Sequence, residues 1–393
     1  MSAVTTQVTA HAITPADATY TFGYYDRCPW SPDQRYHLAL RLPHQHGLPQ
    51  GDEAATLCAV ELATGAIEPI TDTLAWNHQQ GAMSHWLSQE PDCVVVNDRV
   101  GDRVFSKVVN RSRTVVRELP RPVYALNPQG TLAASLDFAR IQRRGYSYAV
   151  SNPKQSGPAE LRDDDGLWVM DLATGASRLV ASYAAIAAIH PDPDDLPGTF
   201  CWLNHAIWNS DGSRLMVLFR YRVGDAGGWK TYLYTVKPDG SDLRCPLDHA
   251  RWSSGGITHQ MWGRTPDELL VDADYRGRGG EFTVCNDRIP TQYRVLAPGS
   301  IAHGHQMFSP DGRWLVTDSY PRDGIQELKL ARVSDGHEIQ LPGMRHGALP
   351  GNGNDWRCDL HPRWRPDGKA ISIDSIDDGQ RRIYVIELEG LLE

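Results

Sequence analysis

The chain has 393 residues and a formal net charge of −9, with no basic tract and no Lys/Arg patch interleaved with aromatics, which argues against nucleic acid as a partner. Thirty-five glycines, 26 prolines, 12 tryptophans and 15 tyrosines, with almost no long helical periodicity, indicate an all-β protein rich in turns. Seven cysteines at 28, 58, 93, 201, 245, 285 and 358 stand singly, without a C-x-x-C pair, so neither a disulfide framework nor a zinc knuckle is expected.

Met1 to Ala12 lacks a basic stretch followed by an apolar core, and no apolar run is long enough to span a bilayer. The expectation is a cytoplasmic protein that does not meet a membrane, or a periplasmic one if a signal has been removed. Along the chain a hairpin then recurs: a short strand ending in an aromatic anchor, a Pro-Asp-Gly-like turn, and an alternating return strand. The first copy is Tyr24-Tyr25-Asp26-Arg27-Cys28-Pro29-Trp30-Ser31-Pro32-Asp33. A degenerate second copy runs from His78-Gln79-Gln80 to Trp86, and a third from Val123 to Gly130. Further copies carry anchors at Trp208, Trp262, Phe308 and Trp364, the last inside Asp359-Leu360-His361-Pro362-Arg363-Trp364-Arg365-Pro366-Asp367-Gly368.

Anchors at 30, 86, 126, 208, 262, 308 and 364 are separated by roughly one four-stranded blade of about 40–50 residues, apart from one long step. That step holds an insertion, about 140–165, rich in Gly, Ser, Pro and Asp and read as a long surface loop. The spacing predicts a single seven-bladed β-propeller domain over 1–393, with four-stranded blades. The last blade shows three strands, so a strand from Val4 to Ala12 is expected to pair with Ile383 to Leu388 and close the ring.

In a propeller, residues opening the inner strand and residues ending the return strand meet on one face. Three residues before the anchor stand His205, His259, His305 and His361, in four consecutive blades. Ring symmetry aims all four at the axis. Residues ending return strands include Arg99, Arg220, Arg222, Tyr275, Arg276, Asp318, Tyr320 and Asp374. A His at the position before the anchor is by itself an ordinary structural residue; four of them form a candidate site, and the Trp and Phe anchors read as inter-blade core. Clustered imidazoles suit a borderline divalent cation such as Mn, Zn, Ni or Fe, with Gln or water oxygens completing the shell. Arginines suit a carboxylate, and a His outside the shell can act as base. Those parts describe β-elimination beside a uronate carboxylate.

Two stretches carry a resemblance. Asn204-His205-Ala206-Ile207-Trp208-Asn209 with Lys237-Pro238-Asp239-Gly240-Ser241-Asp242-Leu243-Arg244, and Thr258-His259-Gln260-Met261-Trp262 with Asp274-Tyr275-Arg276-Gly277, resemble blades of the oligogalacturonate lyases, over about Leu203 to the end. That resemblance implies a seven-bladed propeller lyase using a divalent metal, typically manganese, held by several His and a Gln. It implies His205 as base and His259 as metal ligand, with His305 and His361 as ligands by blade equivalence. The full expected set adds Arg220, Arg222 and Tyr275 as catalytic residues, and Tyr25, Arg27, His78, Gln80, Arg99, His303 and Arg276 as substrate contacts. Either Tyr25 or Tyr275 serves as the acid. The expected partner is an acidic oligosaccharide; homo-oligomer formation stays open. Two other readings stand beside it: a hydrolase of a sugar linked to uronate, and a TolB-like binding propeller.

Overall fold

The structure is a computed structural model and describes residues 8–141, 148, 161–222, 229–247, 258–273, 281–289, 291–296, 304–347 and 356–392. Seven antiparallel blade sheets follow one another around a ring, six with their strands in sequence order from the centre outward and the seventh edged by the first strand of the chain, and Ile325–Gln326 pairs separately with Met344–Arg345. Blade 1 comprises Thr19–Thr21, Tyr36–Leu42, Ala55–Glu61 and Ile67–Thr73. Blade 4 comprises Cys201–Trp208, Leu215–Arg222 and Trp229–Val236, with a Thr235 to Arg244 bridge where a fourth strand would lie. Blade 6 begins with Met307–Phe308 and Trp314–Asp318.

The expected closure is present over Ala10–Ala12, while 4–7 of the expected strand lie outside the described residues. Ala10–Ala12 lies antiparallel to the last strand, Arg382–Glu387, with Ala10 opposite Ile386 and Ala12 opposite Tyr384, so both ends of the chain build blade 7. Side chains reinforce that seam: the Asp374 carboxylate in blade 7 accepts from Thr21 Oγ1 at 2.6 Å and Phe22 N at 3.2 Å in blade 1.

The repeated residues do what their chemistry suggests. Each indole N–H needs an acceptor when buried. Four anchors donate to the carbonyl just before the preceding anchor position: Trp86 to Pro29 (3.0 Å), Trp208 to Ala125 (3.3 Å), Trp262 to Ile207 (2.9 Å) and Trp364 to Met307 (3.2 Å). The anchors therefore pin blade to blade as well as filling the space between them. In the turns, Ser31 and Ser309 hydroxyls donate to Asp33 and Asp311 two residues on, both at 2.6 Å. Gly312 and Gly368 hold φ of +68° and +73°, the left-handed region that only glycine enters without cost.

Of the stretch read as a surface loop, 142–147 and 149–160 lie outside the described residues, and its described parts differ from that expectation. Phe138–Ile141 is a helical turn with Phe138 and Ile141 buried, and Tyr148 is fully buried against Phe138, its hydroxyl donating to Gln80 Oε1 at 2.5 Å. Its phenol tip thus finds a buried amide acceptor. Among the described residues no helix is long and apolar enough to cross a membrane.

Candidate metal centre and proton-transfer site

The inner strands are interrupted where they face the channel, and the interruption presents the site. In blades 4 and 5 the pairing register breaks between Asn204 and Ile207 and between Thr258 and Met261. Within those bulges His205 and His259 take φ of +54° and +49°, and His361 takes +46°. Left-handed backbone is unfavourable for a residue with a side chain, by roughly 1 kcal/mol or more. Neighbouring contacts hold it: His205 N donates to Tyr124 Oη at 2.9 Å, and His361 N to Asp318 Oδ2 at 3.1 Å. Met83, three residues before Trp86, shares the conformation at +53°, so the bulge belongs to the fold and the histidines exploit it.

His305 reaches the same place another way. Gly304 precedes it, and a Cβ there would lie 1.8 Å from the Asp318 carbonyl oxygen, so only glycine permits this approach. His305 Nδ1 stands 3.0 Å from both Asp318 carboxylate oxygens, and its backbone N–H donates to Oδ1 at 2.7 Å.

Three of the four histidines are contiguous. The ring centroids of His259 and His305 lie 4.2 Å apart, and those of His305 and His361 4.3 Å. Tyr24 projects from the excursion between Thr21 and Trp30 and packs among them, 4.7 Å from His205, 4.5 Å from His361 and 5.5 Å from His305. His205 stacks on one side of that phenol ring. The four histidines thus divide into three contiguous rings and His205, which stacks on Tyr24.

One donor set differs from expectation. Ligand atoms of His305, Asp359 and His361 lie within 4.8 Å of one another, all buried, a group that includes Asp359, absent from the expected set, and does not include His259. His259 instead has Nε2 3.1 Å from the Tyr320 hydroxyl. Asp359 and His361 stand two residues apart in the irregular segment that leads into Arg363–Trp364, with the left-handed turn falling at His361 itself. Burial alone would raise the Asp359 carboxyl, but the Arg357 fork, bonded to its two oxygens at 2.6 and 2.7 Å, holds it below the usual range. Arg357 also lies over Tyr320, 4.7 Å from the ring centre, at the partly exposed mouth. Burial, then the neighbouring His305, pushes His361 and His259 well below the usual imidazole range, so both are neutral ligand-type imidazoles near pH 7.

The other expected residues divide. Arg220 is nine-tenths buried and its charge is felt at His259, as a carboxylate holder beside the cluster would be. Arg222 is paired through its backbone with Trp229. Tyr25 is in the cluster, 5.1 Å from His305, but its hydroxyl donates to Gln260 O at 3.1 Å; burial, then the Asp26 charge, raises it well above a normal phenol, which argues against it as the acid. Arg27 is buried under the site, donating to Gln80 O at 2.8 Å and touching Met83 Sδ, so it is not the substrate contact expected. Gln80 is likewise internal, donating to Tyr124 Oη at 2.9 Å. His78 packs between His44 and Trp76 in a turn bridged from Asn77 to Gly81, because its position was set by that turn and not by an inner strand. Arg99 spends its guanidinium on the carbonyls of Leu74, Gly101 and Gly51. Those four serve the scaffold. Tyr275, Arg276 and His303 lie outside the described residues.

No protein-family model matches the chain, and no curated protein matches it. Solved structures do. An oligogalacturonate lyase in complex with manganese superposes with a TM-score of 0.66 at 17% identity, covering 98% of this chain and 97% of that one. Another oligogalacturonate lyase, from Vibrio parahaemolyticus, gives 0.65 at 17% identity, covering 99% and 96%. The Cps50 (Swd1) β-propeller domain of Myceliophteria thermophila gives 0.50 at 13% identity, covering 97% and 98%. The shared property at these identities is the seven-bladed fold.

Proposed function

We propose that this protein is a carbon–oxygen lyase that cleaves uronate-containing oligosaccharides by metal-assisted β-elimination, in the cytoplasm. The observation that carries the reading is the buried donor set His305, Asp359 and His361 on the axis of a propeller, with His205 set apart from it across Tyr24. The donors suit a divalent cation. Two imidazoles and a carboxylate are borderline-hard ligands, and His361 Nε2 is buried with no protein partner while its Nδ1 is 3.1 Å from the Gly23 carbonyl. Support also comes from the manganese complex of the oligogalacturonate lyase whose fold this chain shares.

A cation held by His305, His361 and Asp359, manganese foremost and Zn, Ni or Fe as alternatives, would supply positive charge beside the substrate carboxylate and so acidify the adjacent C–H. His205 takes that proton as general base. Its backbone, clamped by Tyr124, fixes where the imidazole stands. Arg220 grips the carboxylate, Arg222 two residues on in the same strand is the second candidate for that role, and expulsion of the 4-linked oxygen leaves an unsaturated uronate.

Incubation with Mn²⁺ and a panel of uronate oligomers tests this through the ultraviolet absorbance of the unsaturated product. Absorbance that appears with wild type and disappears with His205→Ala supports the reading. Saturated products would make the protein a hydrolase, and no turnover with any oligomer overturns both.

A further inference from the structure

Asp318 ends the second strand of blade 6 and is almost wholly buried. Its carboxylate contacts two of the three proposed metal ligands. Oδ1 accepts from the His305 backbone N–H at 2.7 Å, both oxygens stand 3.0 Å from His305 Nδ1, and Oδ2 accepts from the His361 backbone N–H at 3.1 Å. His361 belongs to the next blade, so one carboxylate spans the seam between blades 6 and 7.

We propose that Asp318 is the positioning residue of this centre: it fixes the tautomer and direction of His305 and the backbone of His361 without itself being a ligand. The inference rests on the reading of the site as a metal centre. A carboxylate can only accept, so Nδ1 of His305 must carry its proton toward Asp318, and Nε2 is left with its lone pair for the cation. His361 obeys the same rule through the Gly23 carbonyl, which takes the Nδ1 proton and leaves Nε2 unpartnered. Both rings therefore offer Nε2, one oriented by a side chain and the other by backbone. Asp318 also accepts the N–H of His361, whose left-handed backbone needs such a restraint. An amide in its place offers one acceptor and one donor, and cannot satisfy the three N–H groups together.

The test uses the full chain and Mn²⁺ alone. Calorimetric titration of metal-free wild type, Asp318→Asn and His361→Ala should give binding by wild type, a loss of affinity of roughly 10–100-fold for Asp318→Asn, and a larger loss for His361→Ala. Equal affinity of Asp318→Asn and wild type overturns the positioning role and leaves the metal centre standing. No binding by wild type overturns the metal centre and this inference with it. A second readout needs no metal and no Asp318 variant: ¹⁵N histidine spectra of metal-free wild type, with His305 assigned from His305→Gln, should show the Nδ1–H tautomer. The Nε2–H tautomer overturns the proposal.

Discussion

Blades 1 to 3 and blades 4 to 7 carry the same position, three residues before the anchor, and fill it in opposite ways. On one side stand Arg27, Met83 and Val123; on the other His205, His259, His305 and His361. The first group is closed on itself. Arg27 reaches Gln80 O and Met83 Sδ, while Val123 is clasped through its N–H and carbonyl by the Asn97 amide at 2.7 and 2.8 Å. The second group turns nitrogen atoms toward the axis. Since Met83 has the same left-handed backbone as three of the histidines, the bulge is common property and only side-chain chemistry separates wall from site.

Substitutions should break that comparison in order of size. His205→Ala should reduce turnover by about 10²–10⁴-fold, the usual contribution of a general base, while Mn²⁺ affinity stays near wild type. Loss of metal affinity as well would mean His205 belongs to the shell. Across the channel, Arg27→Met should leave Mn²⁺ affinity near wild type and instead cost about 3–5 kcal/mol of stability in denaturant unfolding, because buried Asp26, 4.0 Å from Arg27 Nε, loses its counter-charge. An unchanged unfolding midpoint would show that Asp26 is already neutral, as its burial-raised carboxyl allows.

Acid sharpens the contrast further. Burial pushes His37 and His85 down to about 3 and His78 to about 2. These imidazoles stay neutral in the folded chain while the unfolded chain protonates them near pH 6.5, so the unfolded state binds more protons below that value. Stability is therefore complete above about pH 6.5 and falls as pH drops toward 3, by up to about 1.4 kcal/mol per unit for each histidine. Metal-free unfolding free energies measured from pH 7 to pH 5 should show the slope, and His37→Phe should flatten it by one histidine's share. A flat profile would mean these residues are not buried neutral. The smallest effect is expected where the two sides are alike: Gly368→Ala, at φ +73° with only Pro310 Cδ at 3.7 Å, should cost about 1 kcal/mol in thermal melts and leave metal affinity alone.

The propeller was legible because its signal is repeated: anchor and turn recur seven times, and errors in one copy, such as blade 2, are corrected by the others. The four histidines were legible for the same reason. What periodicity could not carry was contact made once. Asp359 became a ligand candidate through the irregular segment it shares with His361, Tyr24 joined the site through an excursion between Thr21 and Trp30, and Arg357 through its fork on Asp359. Arg99 and His78 had suitable chemistry and blade position, but nearby carbonyls and aromatic rings claimed them first. Buried polar groups are recruited by whatever can satisfy them, and a one-dimensional spacing does not say what that will be.

The seam made by Ala10–Ala12 and Arg382–Glu387 bears on how the centre comes into being. His361 takes its Nδ1 acceptor from Gly23 in the first blade and its backbone restraint from Asp318 in the sixth, so its orientation exists only once the ring has shut. The donor set is therefore complete only in the closed ring. A cation that binds only the shut ring would act as a latch, lowering the population of ring-open molecules by the factor 1 + [metal]/Kd. Chelation would register first as faster hydrogen exchange along Arg382–Glu387, ahead of any change in the blades opposite.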